Sequence, residues 1–159
     1  MNIDSSYPTL NLPVADLRLG EKDGQPTVFD PLRRRYVRLT PEEWVRQHFV
    51  AFLTVHKGYP SGLLANEVTI ALNGMTRRCD SVLFGLDRLP LMIIEYKAPT
   101  VALTQRVFDQ VWRYNMVLRV EWLIVSNGLN HVVCRLDKKK GTYAFLPQVP
   151  EYAVVRGDE

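Results

Sequence analysis

Apolar residues first recur at helical spacing after Thr40. Val45, Phe49, Phe52, Leu53 and His56 repeat every three or four positions, which predicts an amphipathic helix. Thr40 suits the N-cap, Pro41 the first turn, and Glu43 completes a capping box. Gly58, with Pro60 just beyond, predicts its end near Lys57. The pattern then changes to alternation. Val68, Ile70 and Leu72 alternate with Glu67, Thr69 and Ala71, and Asn73-Gly74 follows as a hairpin signal. Strands are predicted over 78–86 and 91–97, joined by a turn around Asp87–Pro90 and hence antiparallel.

Residues 102–118 return to helical spacing, with Val107, Phe108, Val111, Trp112 and Leu118 on a broad apolar face. The run 120–126 is almost continuously apolar, as in a strand covered on both faces. Turns at 127–130 and 138–141 lead into strands over 131–136 and 142–146. The order is helix, three strands, helix, then two or three strands. It predicts an α/β domain whose mixed sheet is flanked by helices. Residues 1–40 are broken by Pro8, Pro13, Gly20, Gly24, Pro26 and Pro31 and exclude a long helix. They read as an extended lead-in, with short extended pieces at 14–19 and 27–29, packed on a domain over 41–152. Residues 153–159 read as a tail.

Composition narrows the class without fixing it. The 159 residues suit one domain, and 47% hydrophobic with 23% charged residues is ordinary for a soluble globular chain. A net charge of +3 is compatible with a polyanionic partner but does not identify one. Cys79 and Cys134 each lie in apolar stretches and read as reduced, buried thiols. Neither belongs to a CxxC pair, and His56 and His131 lack zinc-ligand spacing, so a structural zinc site is not expected. Asp4 sits early, no basic region precedes an apolar run, and no stretch approaches the ~20 residues that span a bilayer. A cytoplasmic location without membrane association is the expectation.

The chemistry concentrates in the strand 91–97. Alternation puts Leu91, Ile93, Glu95 and Lys97 on one face, with Glu95 and Lys97 roughly 6.5–7 Å apart at ~3.3 Å per residue. Charges at the end of such an apolar run cost desolvation unless they pair or bind something. Asp80, in the preceding strand with Val82 and Phe84 on its side, is carried toward them by the hairpin. Symmetry about the Asp87–Pro90 turn places Asp80 opposite Lys97, with Glu95 diagonal and within reach. Two carboxylates and a lysine suit phosphodiester hydrolysis. Carboxylates hold a hard cation such as Mg²⁺ or Mn²⁺, the metal acidifies a bound water, and the lysine orients it or neutralises charge. A Glu-x-Lys at a strand end is also common as a plain solvated end.

With Asp80, then Glu95-Tyr96-Lys97 fifteen residues later between two helices, the sequence resembles the PD-(D/E)XK nuclease superfamily. More closely, it resembles the N-terminal nuclease domain of type I restriction enzyme R subunits, including small stand-alone members. The resemblance runs over nearly the whole chain: 7–13, Phe29-Asp30, 40–47, Glu95-Tyr96-Lys97-Ala98-Pro99, Gln110 through Asn115, and Ser126-Asn127-Gly128. It implies a restriction-endonuclease-like fold with an α-β-β-β-α-β core. It implies Asp80 and Glu95 as metal ligands, the Tyr96 carbonyl as a further ligand, and Lys97 as the residue that positions the water. Gln110 and Tyr114, one helical turn apart, look like its Gln-x-x-x-Tyr element, which supports the site. They also read as an ordinary helix-surface Gln and a half-buried Tyr. The first helix of the superfamily often adds an acidic residue, here Glu42 or Glu43. Helical arithmetic favours Glu42 for the apolar face and Glu43 for the cap. Cys79 stands where the motif has proline.

The expected activity is therefore Mg²⁺- or Mn²⁺-dependent endonucleolytic cleavage of DNA, in restriction or DNA processing. Arg77, Arg78 and the strip containing Arg33 and Arg35 are candidates for phosphate contact, although the strip also reads as a solvated edge strand. No GxxxxGK[ST] loop occurs in these residues, so a type I-like role calls for a separate translocase or restriction-system subunit. A homodimer is compatible with cutting both strands. The alternatives are a catalytically silent DNA-binding or partner-binding module, and an interaction subunit with no nucleic-acid role.

Overall fold

A computed structural model describes residues 7–157; the first six positions, including Asp4, and the last two lie outside it. The central element is a six-stranded sheet in sequence order, β4(Leu64–Leu72), β5(Met75–Phe84), β6(Pro90–Tyr96), β7(Trp122–Ser126), β8(His131–Asp137) and β9(Thr142–Leu146). Only β6 and β7 pair in parallel, and α2(Gln105–Leu118) connects them. The other neighbours are antiparallel, so the sheet is mixed. The core elements follow the α-β-β-β-α-β order read from the sequence.

The sheet has a helix on each face because its middle strands are apolar on both. On one side, Leu83, Met92, Ile94, Tyr96, Trp122 and Ile124 meet Val45, Phe49 and Leu53 of α1(Pro41–Ala51) and its continuation. On the other, Cys79, Val82, Ile93, Leu123, Val125 and Cys134 meet Phe108, Val111 and Leu118 of α2. Burying each large aliphatic side chain contributes roughly 1.5–3 kcal/mol, so these two layers hold the sheet. Thr40 caps α1 by accepting from the Glu43 N–H, and after Ala51 the helix widens into a π-turn over Phe52–His56. Gly58, at φ +76°, ends it. Thr104 caps α2 in the same way, accepting from the Val107 N–H.

The lead-in is more ordered than its Pro and Gly content suggests. It forms a separate three-stranded antiparallel sheet of β1(Leu19–Lys22), β2(Gln25–Asp30) and β3(Arg35–Arg38). The extended piece expected at 14–19 joins the sheet only at its end, with the Arg18 carbonyl accepting from the Phe29 N–H and the ladder register starting at Leu19, because Asp23-Gly24 supplies the positive-φ turn that sets the hairpin. Ahead of it, the Asn11 N–H donates to the Gly128 carbonyl, and a Cβ on Gly128 (φ +85°) would meet Leu10 at 2.7 Å. Beyond β9, α3(Tyr152–Val155) returns to the core with Val155 buried.

Candidate functional site

Asp80, Glu95, Tyr96 and Lys97 line one cavity of about 750 Å³, walled by β3, the start of α1, and β4 to β6. The hairpin that unites them has a different register from the symmetric one. Ser81 pairs with Ile94 and Val82 with Ile93, which puts Asp80 across from Glu95, not Lys97. The reason is local. The Gly85 N–H closes the loop onto the Leu89 carbonyl, Asp87 accepts from the Leu89 N–H, and Pro90 is already paired with Phe84. A bulge between Leu83 and Phe84 completes the offset. The two carboxylates are therefore direct neighbours, with Lys97 immediately past the end of β6.

Their electrostatics are unfavourable. The Asp80 carboxylate accepts from the Tyr96 N–H at 2.9 Å, which fixes its position. Burial pushes the Glu95 carboxyl up to about 9, and the Asp80 charge, with which it shares a hydrogen bond, adds to the shift. Arg77 Nη2 stands 3.1 Å from Glu95 Oε1. Even so, that buried oxygen makes no hydrogen bond. A crowded, under-donated carboxylate pair is stabilised by a cation. These residues therefore fit a divalent ion that keeps most of its waters, with Asp80, Glu95 and the Tyr96 carbonyl as the donors. No set of three or more His, Cys, Asp or Glu is grouped as a cage among the described residues. Lys97 is partly exposed and has no ion-pair partner among them, so its ammonium is free to face the cavity.

Glu43 is buried and Glu42 exposed, the reverse of what helical arithmetic favours. The capping geometry turns the first turn so that Glu43 faces inward, where it is already engaged. Arg33 Nη2 donates to it at 2.7 Å and Gln47 Nε2 at 3.0 Å, and Arg46 Nε lies at 3.5 Å. Glu43 thus belongs to a network that sequence reasoning missed. Asp30 is fully buried and accepts from Arg33 Nε, from the Leu32 and Arg33 N–H groups, and from Asn66 Nδ2 at 2.9 Å. Burial opposes its charge, but the Asn66 and Arg33 hydrogen bonds outweigh that and hold its carboxyl below the ordinary value. Asn66 accepts from Ser81, which accepts from the Tyr96 hydroxyl. Arg46, also buried, reaches Glu67 at 2.5 Å and lies over the Tyr96 ring. Glu67 has φ +53°, a conformation costing about 1–3 kcal/mol outside glycine, and sits where the β4–β5 ladder skips a pair facing Asp80. One signal was available: Arg46 falls between Val45 and Phe49 on an otherwise apolar helix face.

The basic candidates separate. Arg33 is consumed by Asp30 and Glu43 and is not a free phosphate contact. Arg77 is turned inward onto Glu95, and its guanidinium carbon lies 4.5 Å from the Tyr114 ring centroid. Arg78 is exposed but paired with Glu67 at 2.8 Å. Arg35 and Arg38 line the cavity, are exposed, and have no ion-pair partner among the described residues. Among the described residues, Tyr114 is linked to the site through Arg77. Gln110 is exposed, its side chain makes no hydrogen bond among the described residues, and it does not line the cavity that holds the carboxylates. Cys79 and Cys134 are buried free thiols, each pushed up to about 12 chiefly by burial, and are inert.

A mixed sheet covered by a helix on each face, with a carboxylate pair and a lysine beside its central hairpin, defines a restriction-endonuclease-like α/β fold. The family model of the type I restriction enzyme R protein N terminus matches residues 41–150, and the chain belongs to that family. No curated protein matches the chain, and no solved structure does. Among the described residues, no helix is long and apolar enough to cross a membrane.

Proposed function

We propose that this domain hydrolyses phosphodiester bonds of DNA with a divalent metal, Mg²⁺ or Mn²⁺, held at Asp80 and Glu95. The observation that carries the reading is the contact between those two carboxylates, one with an orphaned buried oxygen, beside an unpaired lysine in an open cavity. Bound there, the metal supplies Lewis acidity toward a phosphoryl oxygen and an acidified water. The chain supplies the rest. The Tyr96 N–H holds Asp80 in place, and Lys97 orients the attacking water and offsets charge on the phosphate. Arg35 and Arg38 on the facing wall draw the nucleic-acid backbone into the cavity. Glu43 serves better as the anchor of Arg33 and Arg46 than as a metal ligand. Membership of that family supports a restriction context; DNA and other subunits, a separate translocase among them, are the proposed partners, and the cytoplasm is the proposed location.

Plasmid cleavage tests this reading. Wild type is expected to nick or linearise DNA with Mg²⁺ or Mn²⁺, and Lys97→Ala to lose the activity while folded. Inertness toward linear, supercoiled and branched DNA with either metal argues for a second reading, a silent DNA-binding module. That reading is favoured by Arg77, whose Nη2 already stands 3.1 Å from Glu95 Oε1. It requires DNA binding that survives Asp80→Ala and needs no metal.

A further inference from the structure

Arg77 is the inward-facing cation that neither the Glu43 network nor the phosphate-facing strip uses. Its side chain is 16% exposed, and it extends from β5 between Glu95 and the ring of Tyr114 on α2. The ion pair is poorly made. Arg77 Nη1 and Glu95 Oε1 are both buried and both lack a hydrogen bond. Durable Arg–carboxylate pairs are bidentate, with two parallel N–H donors. Here charge and proximity act without that fork. The other face of the guanidinium rests on an aromatic ring that is 41% exposed, so the side chain has an outer platform and a way out.

We propose that Arg77 is the resident counter-cation of Glu95, held against Tyr114, and that it competes with the divalent metal for that carboxylate and yields to it on loading. The inference rests on the metal-site reading above. A guanidinium and a divalent ion cannot share one buried carboxylate oxygen without strong repulsion, which screening relieves least in the interior. The residue that keeps Glu95 tolerable without metal therefore lowers its affinity for metal. Tyr114 sets the balance by holding Arg77 in place. Its link to the site is then through metal affinity, not contact with substrate.

The test is calorimetric titration of Mn²⁺ into wild type, Arg77→Met, Tyr114→Ala, Arg78→Met and Asp80→Ala, with melting of each in chelator and in Mn²⁺. Arg77→Met is expected to bind Mn²⁺ about tenfold more tightly than wild type, equal to about 1.4 kcal/mol. It should melt lower in chelator and gain more from metal. Tyr114→Ala should tighten binding by roughly threefold, since its Arg77 is merely loosened. Arg78, mostly exposed and paired with Glu67, controls for general charge; its removal should change affinity by less than about twofold. Wild type that binds while Arg77→Met binds no more tightly overturns the competition and leaves the metal site standing. Equal gains from Arg77→Met and Arg78→Met overturn it too. No binding in any variant removes both readings. If Arg77→Met fails to fold, Tyr114→Ala decides, because unchanged affinity there refutes the latch.

Discussion

Asp30 and Glu95 are both buried carboxylates, and their surroundings differ in kind. Asp30 has two backbone N–H donors, the Arg33 guanidinium and the Asn66 amide, and its carboxyl lies below the ordinary value. Glu95 has a neighbouring carboxylate, one badly aligned guanidinium and an oxygen without a hydrogen bond, and its carboxyl lies far above. Yet one polar chain connects them, from Asp30 through Asn66 and Ser81 to the hydroxyl of Tyr96, the residue after Glu95. The donor-rich end fastens β2 and, through Arg33 and Glu43, α1 to the central hairpin. The donor-poor end is the one proposed above to hold the metal. Burial of charge is structural at Asp30, where donors saturate it, and at Glu95, where they do not, it is what the proposed metal site rests on.

The sharpest way to break this contrast is Lys97→Ala. It should lower the cleavage rate by about 10²–10⁴-fold, as loss of a group that positions a proton or water does. Its chemical-denaturation midpoint should stay close to wild type, because Lys97 has no ion pair to lose among the described residues. Asp30→Ala should do the opposite. It leaves Arg33 and Asn66 buried without their partner and should cost about 3–5 kcal/mol in urea unfolding. An Asp30→Ala protein as stable as wild type would remove the structural half of the comparison.

Asp30 also predicts an acid limb. With its folded carboxyl below the ordinary value, the unfolded chain takes up the proton first as pH falls. Its contribution is complete above about pH 4 and disappears as pH drops through the folded value. Asp30→Asn should therefore show a shallower loss of stability below that point, measured as the urea midpoint against pH.

The basic strip offers a smaller contrast. Changing Arg35 and Arg38 together to Ala should reduce the slope of log affinity against log salt by about 2 on duplex DNA, at ~0.9 per phosphate contact. Arg33→Ala should instead unfold the lead-in junction. Asp80→Asn should also leave stability little changed. It keeps the acceptor for the Tyr96 N–H and removes the charge beside Glu95, so stability should change by less than about 1 kcal/mol. Mn²⁺ binding by calorimetry should nevertheless vanish.

Between residues 41 and 146, periodicity and turn signals settled which segments are helices and strands and their order, because the core of each element repeats with its own period. Val45, Phe49 and Leu53 show this for α1, and the unbroken 122–126 run for a strand covered on both faces. The same alternation placed Glu95 and Lys97 together at the end of one strand. Register was different. A two-residue offset arose from a loop hydrogen bond and a bulge that no pattern of apolar residues encodes, and it moved Asp80 from Lys97 to Glu95. Helical arithmetic leaned to Glu42 for the inner face and left the choice with Glu43 open, whereas the cap at Thr40 and the guanidinium of Arg33, ten residues earlier in the chain, turned Glu43 inward. Arginines that look alike in sequence became an internal pair, a counter-ion and a free strip. Only tertiary contacts decide which charge finds a partner, since such partners lie far apart in the chain and their pairing depends on burial.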